Sequence, residues 1–393
     1  MQWPGWRALL ACLLAWSLAA AAPAAATPDP ADPERAAMAA AVQGCHEWVP
    51  STEARRCWVV RGRASQPVIM LFGDSHAHHL HPALAEIAQR HGMRLAQLTK
   101  SGCPAPSVHT ETGKGDPHPQ CFLWRESALA LMARMKPAVV VVASSYHYND
   151  ILLDDESGAP VGPDYLDTWG AGMRATLTSI AAGGPDGVIV VRDTPRFADD
   201  LLTCLSSATA KERARSCGLP TDKALDRNNR QVWDVESAIA AGSPGTTLLD
   251  LTDEFCDSGV CSPTNPDGES RYLDANHLSA PFAASLWRRF SAVLAGVTQM
   301  RPSTVPAVRV KRARGRVVVR WGRPMPGSGT VRSYTTRATP IKKWRNRGVK
   351  GFSCSGPRRR CRSGVVPPRA SYRIRVMAVS EIGRSPAARA RLR

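Results

Sequence analysis

An apolar run, Val68-Ile69-Met70-Leu71-Phe72, ends in Gly73-Asp74-Ser75-His76. A strand that turns here into a helical stretch presents the Ser75 hydroxyl at its carboxyl end. Free N–H groups and the positive end of the helix dipole point to the same place. A serine so placed becomes a nucleophile when a base stands beside it, and an oxyanion formed on its substrate needs donors. Gly, Asp and Ser are also ordinary capping and turn residues, so the tripeptide alone reads as a plain strand-to-helix turn. Far along the chain stands Tyr272-Leu273-Asp274-Ala275-Asn276-His277-Leu278. Asp and His three apart can share one face of a helical turn. Asp274 can then hold one ring nitrogen of His277 and leave the other to take a proton. The plainer alternative is a loop Asp and His that cap the last helix. The two motifs at opposite ends of one α/β region favour a catalytic set of Ser75, His277 and Asp274.

His76, His78, His79 and His81 crowd one segment, with Asp74 close by. His78 and His81 can share a helix face, which invites a metal. No matching Asp/His pattern stands elsewhere except Asp274 and His277, which the serine mechanism already uses. Half-packed histidines on a first helix are the better account, and neither a metal nor a cofactor is expected.

The elements that must position these groups are visible as alternation. Apolar strand candidates are Val68–Phe72, Leu95–Leu98, Ala138–Ala143, Val188–Val191 and Thr247–Leu251. Helical stretches are Leu80–His91, Phe122–Met135, Leu166–Ala182, Lys223–Ala241 and Pro281–Val297. Wholly apolar strands with helices between them imply a parallel sheet covered on both faces. Ligands of such sheets sit at the carboxyl ends of the strands.

Before this region, Arg7 precedes an apolar run from Ala8 to Ala22, and small residues follow at Ala20-Ala21-Ala22 and Ala24-Ala25-Ala26. This reads as a signal peptide over residues 1–26, followed by a flexible lead-in over 27–44. Leu9-Leu10-Ala11-Cys12 is a poor lipobox, with only four residues between Arg7 and Cys12. Ten of the 11 cysteines remain without Cys12. They fall as close neighbours: Cys45 and Cys57, Cys103 and Cys121, Cys204 and Cys217, Cys256 and Cys261, Cys354 and Cys361. Five disulfides between neighbours are expected, as suits an oxidising compartment, although spacing does not fix connectivity. The absence of any Cys-x-x-Cys argues against zinc.

The 393 residues carry a net charge of +18, unevenly spread. From Ser303 onward there are 25 Lys and Arg and one acid, Glu381, a net of +24 that leaves −6 on the rest. Here Val317–Trp321, Ser333-Tyr334 and Tyr372–Val376 read as short strands between Gly- and Pro-rich turns, an all-β sandwich pattern.

The two chemical motifs resemble blocks I and V of SGNH/GDSL hydrolases. They resemble most the SGNH domain fused behind acyltransferase-3 membrane domains, which handles O-acyl groups on cell-surface glycans. Gly73-Asp74-Ser75-His76, Ser101-Gly102-Cys103-Pro104, Asp193-Thr194-Pro195 with Cys204-Leu205, Phe255-Cys256…Cys261 and Tyr272-x-Asp274-x-x-His277-Leu278-Ser279 carry that resemblance. It implies a flavodoxin-like three-layer α/β/α domain with a parallel sheet over residues 45–300. It also implies an oxyanion hole made by the Ser75 N–H, the Gly102 N–H and a side chain after the third strand. That last position departs from the family's Gly-x-Asn-Asp: Ser144-Ser145-Tyr146-His147-Tyr148-Asn149-Asp150 stands there, with Asn149 or Ser145 as donor. Tyr146 and Tyr148 are candidates for substrate contact, whereas Trp124, Trp169, Trp233, Trp287 and Trp321 are read as packing. Trp321, Pro324, Tyr372 to Ala378, Gly383 and Ser385 resemble a fibronectin type III domain, which places a second module over residues 303–393.

The resemblance implies a secreted serine O-acyl esterase or acyltransferase. It would act on cell-envelope glycans, either as a free-standing deacetylase or as a soluble transferase served by a separate membrane acyl donor. A catalytically inactive wall-binding relative is the alternative, but it is disfavoured because Ser75, Asp274 and His277 are all present. A metal phosphoesterase is a third. The basic module is expected to bind anionic envelope polymers rather than nucleic acid, which an exported protein seldom meets.

Overall fold

The computed structural model describes residues 44–392 apart from 113–114, 156–157 and 208. The expected signal peptide and nearly all of the lead-in lie outside the described residues.

One seven-stranded sheet organises the first two-thirds of the chain. Its strands are β1 (His46–Glu47), β2 (Cys57–Val60), β3 (Val68–Gly73), β4 (Arg94–Lys100), β5 (Val139–Ala143), β6 (Gly187–Val191) and β7 (Thr246–Leu249). The order is β1-β4-β3-β5-β6-β7, all parallel, with β2 added antiparallel to β4. The five long strands in sequence thus lie 2-1-3-4-5, the doubly wound flavodoxin-like order. β3 and β5 are buried at every residue, which is why they read as continuous apolar runs rather than alternating ones.

Alternate side chains feed two cores. Ile69, Leu71, Val139, Val141 and Ile189 pack against Leu84 and Ile87 of α2 (His81–His91) and Phe290 and Leu294 of α7 (Trp287–Val297). Met70, Phe72, Val140 and Val142 face α3 (Pro119–Met135), α4 (Tyr165–Ala182) and α5 (Arg227–Ala241) on the other side. The short helices α1 (Ser75–His78) and α6 (Ala280–Ser285) complete this numbering.

Beyond Met300 the chain forms two antiparallel sheets. One holds β8 (Arg309–Ala313), β9 (Arg316–Arg320) and β12 (Arg360–Val365); the other is built on β10 (Ser333–Pro340), β11 (Phe352–Gly356), β13 (Tyr372–Ser380) and β14 (Ala388–Leu392). Both feed one core, in which Val317, Val319 and Trp321 meet Tyr334, Ile374 and Val376.

All five neighbour disulfides are formed. Cys45–Cys57 links the residue before β1 to the first residue of β2, the two short strands that share the edge of β4. Cys354–Cys361 joins β11 to β12 and so crosses between the two sheets. No helix among the described residues is long and apolar enough to cross a membrane.

Candidate active site

Ser75 follows β3 and opens α1 at the point where the strand order reverses, between β3 and β5. In sheets of this kind a crevice opens there beyond the strand ends. Gly73 makes the turn possible. Its φ is 143°, and a Cβ on it would lie 1.8 Å from the carbonyl oxygen of Ala143 at the end of β5. No other residue allows that approach of the two strands.

The Ser75 hydroxyl lies 2.9 Å from Nε2 of His277, and Nδ1 of His277 lies 2.7 Å from a carboxylate oxygen of Asp274. The Asp-x-x-His segment is a hairpin-like loop rather than the expected helical turn. The Leu273 N–H donates to the His277 carbonyl at 2.8 Å, and the Ser279 N–H to that of Arg271. Inside the loop the second Asp274 oxygen accepts the N–H groups of Asn276 and His277 at 2.8 and 2.7 Å. One carboxylate therefore shapes the loop and orients the imidazole. Burial alone would raise the Asp274 pKa, but the hydrogen bond and charge of His277 and the two N–H donors hold it well below the usual carboxylate range.

Asp74, beside the serine, has no part in that set. It is wholly buried and accepts the His76 N–H at 2.8 Å, the Ser145 N–H at 2.8 Å and the Tyr148 hydroxyl at 2.9 Å. It caps α1 and ties the Ser75 turn to the segment after β5. Burial pushes its pKa up against these donors.

A second histidine–carboxylate pair lies alongside, which sequence reasoning missed. His76 Nδ1 donates to Asp193 at 2.5 Å, and the two are 117 positions apart. The His76 ring stands edge-on to His277, centroids 4.9 Å apart. Asp193 also accepts the N–H groups of Tyr146 at 3.1 Å and Thr194 at 2.8 Å. The Asp193-Thr194-Pro195 motif was its only signal in the sequence. The remaining histidines have structural partners. His79 accepts the Leu278 N–H at 3.4 Å, His78 stacks between His46 and His81, and Gln97 donates to His78. Among the described residues no cluster of His, Cys, Asp or Glu is arranged to hold a metal ion.

Gly102 lies in the turn after β4 with φ 61°. The loop that carries it is clamped by Arg125, which is completely buried and donates to the carbonyls of Pro104 and Val108, and by Cys103–Cys121. Asn149 donates its amide to Asp150 at 2.7 Å at an exposed turn. Tyr146 and Tyr148 are buried among Val108, Leu152, Trp169 and Val232, with their hydroxyls on Asp226 and Asp74. They brace the site and offer no exposed ring to a substrate. Ser145 remains at the strand end: its N–H serves Asp74 and its hydroxyl oxygen accepts the His147 N–H at 3.2 Å, which leaves the hydroxyl hydrogen for another acceptor.

Fold and site together define a doubly wound α/β domain with a serine, a histidine and an aspartate in hydrogen-bonded sequence at its switch point. The chain belongs to the SGNH family: residues 44–292 match the SGNH domain (fused to AT3 domains). Among solved structures, the periplasmic domain of a lipopolysaccharide acetyltransferase from Salmonella ser. Paratyphi A is similar at 17% identity. It covers 59% of this chain and 84% of that chain with a TM-score of 0.46. A myokine structure (19% identity, 23% of this chain and 96% of that chain, TM-score 0.20) and the FN5 domain of Drosophila Lar (20%, 23% and 95%, TM-score 0.18) also match. No curated protein matches the chain.

Proposed function

We propose that this chain is an exported serine O-acyl esterase or acyltransferase acting on acyl esters, acetyl above all, of cell-envelope glycans. The observation that carries the reading is the unbroken Ser75–His277–Asp274 relay, 2.9 and 2.7 Å, on a domain of the SGNH family. Ser75 Oγ attacks the ester carbonyl carbon while its proton passes to His277 Nε2. The carbonyl pair becomes an oxyanion facing the N–H groups of Ser75 and Gly102, with the Ser145 hydroxyl as third donor. When the tetrahedral species collapses, the sugar oxygen leaves with the proton from His277 and the acyl group stays on Ser75. Water or a second sugar hydroxyl, deprotonated by His277, then takes the acyl group in the reverse of the same steps. Five disulfides suit an oxidising compartment outside the cytoplasm. Residues 45–300 form the catalytic unit in this reading, and 303–393 a fibronectin type III-like module.

Intact-protein mass spectrometry with p-nitrophenyl acetate tests the proposal. Wild type should acquire one acetyl group and lose it again, and Ser75→Ala should acquire none. Faster deacylation on adding a glycan acceptor marks a transferase, and indifference to it an esterase. An acetyl adduct of equal extent on Ser75→Ala would remove Ser75 from the chemistry.

A further inference from the structure

The outer face of the C-terminal sheet carries a feature that the serine chemistry does not use. Along β10, β13 and β14 alternate residues enter the core, Ala338, Ile374, Val376 and Ala388 among them. The residues between them point outward. The register sets Arg337 opposite Arg375 and Arg375 opposite Arg389, so three arginines cross three strands in one row. Two residues along, Arg373 lies opposite Arg391 in a second row. All five are exposed. Strands lie about 4.8 Å apart and same-face residues about 6.8 Å apart along a strand, so five guanidinium groups spring from a patch roughly 10 Å by 7 Å.

Like charges directly opposite one another destabilise a sheet, and no acid among the described residues offsets them. Glu381, the acid of this region, pairs with Arg332 at 3.3 Å. Among the described residues none of the five arginines forms an ion pair. A groove of about 430 Å³ runs between Arg373, Arg375, Arg389 and Arg391.

We propose that this arginine array is a binding site for an extended acidic polysaccharide, gripped through successive carboxylates. A guanidinium fork holds a carboxylate with two parallel hydrogen bonds, and two rows of forks at a regular spacing fit a linear polymer with repeating charge. The neighbouring outward residues are Thr335, Thr339, Ser353, Ser355 and Met377. No aromatic ring stands on this face for a nucleic-acid base to stack on, and no large apolar side chain is exposed on it to enter a lipid surface. The site would hold the polymer beside the catalytic domain, but its existence does not rest on the serine chemistry.

Titration calorimetry of the full chain with polygalacturonate at pH 7 and low salt tests this. Wild type should bind, and more weakly as salt screens the charges. The double variant Arg375→Gln/Arg389→Gln should bind at least tenfold more weakly. Arg358→Gln/Arg359→Gln, which removes the same charge from the exposed turn before β12, should change affinity less than twofold. Melting temperature should hold or rise in the Arg375/Arg389 variant, since repulsion is removed. If that variant unfolds early, Arg375→Lys/Arg389→Lys decides, because it keeps the charge, loses the fork and should still weaken binding severalfold. Equal losses in the two Gln variants, no loss in the Lys variant, an absence of wild-type binding, or tighter binding to double-stranded DNA or anionic vesicles would each overturn the proposal.

Discussion

Asp274 holds its carboxyl well below the ordinary range even though burial works the other way. It is therefore ionised throughout the interval in which a histidine with its usual pKa near 6.5 titrates. Under the proposed mechanism the acid limb of the pH–rate profile should then report a single proton, the one on His277. kcat/KM for p-nitrophenyl acetate should rise with unit slope as pH increases and then level off. A slope of two would mean that a second group titrates with the imidazole. Under the proposed mechanism Asp274→Asn should lower kcat by up to about 10⁴-fold, the loss measured in a known triad enzyme, because the amide holds the wrong tautomer. This set was legible because each half is local: Gly-Asp-Ser and Asp-x-x-His are each a few residues long. The His76–Asp193 pair was not, since no local spacing predicts a contact across 117 positions. Nor was the burial of Tyr146 and Tyr148, which depends on how α4 and α5 cover the segment after β5.

At the scale of elements, every long strand and helix of the α/β domain stands within a few residues of where the apolar pattern placed it, most sharply β3 and β5, which are buried and apolar at every position. The short edge strands β1 and β2 were missed. β1 is only two polar residues, and β2, though apolar throughout, is only four residues long and set between Arg56 and Arg61. In the basic region β8, β11 and β12 were hidden because arginines, serines and cysteines fill positions where apolar residues would mark a strand. Helix packing hides a further polar contact. The Trp169 indole of α4 donates at 3.1 Å to Glu236 of α5, which is buried. Burial pushes the Glu236 pKa up to about 8, against the opposing effect of that hydrogen bond. The folded protein thus holds a proton that the unfolded chain has released at neutral pH. Stability should fall as pH rises from the ordinary glutamate range to about 8, by up to roughly 1.4 kcal/mol per unit. Glu236→Gln keeps an acceptor for Trp169 and abolishes the titration. Its advantage in melting temperature over wild type should be small at pH 5 and should widen toward pH 8. A constant difference across that range would show that Glu236 does not titrate.

The whole molecule is joined where α2 ends. His91 is buried, and burial lowers its pKa, so the ring is neutral near pH 7. Its Nδ1–H donates to the Arg301 carbonyl at 2.7 Å, and its Nε2 faces the Ser291 hydroxyl of α7 at 3.3 Å. One residue earlier, the Arg90 carbonyl accepts both the N–H and the hydroxyl of Thr304, at 2.7 and 3.2 Å. Met300, between the two sheet systems, is completely buried. The segment leading into the basic sheets is thus fastened to the helix that starts a few residues after Ser75. Replacing His91 with Ala leaves a carbonyl and a hydroxyl without their partner in a dry site, a cost of about 1–3 kcal/mol. Because those groups belong to opposite sides of the joint, the loss should also uncouple them. Calorimetric unfolding of His91→Ala should shift to lower temperature and broaden or split relative to wild type. His91→Gln, whose amide can both donate and accept, should recover part of the shift. An unchanged transition in His91→Ala would mean that the two units are held together by something other than this joint.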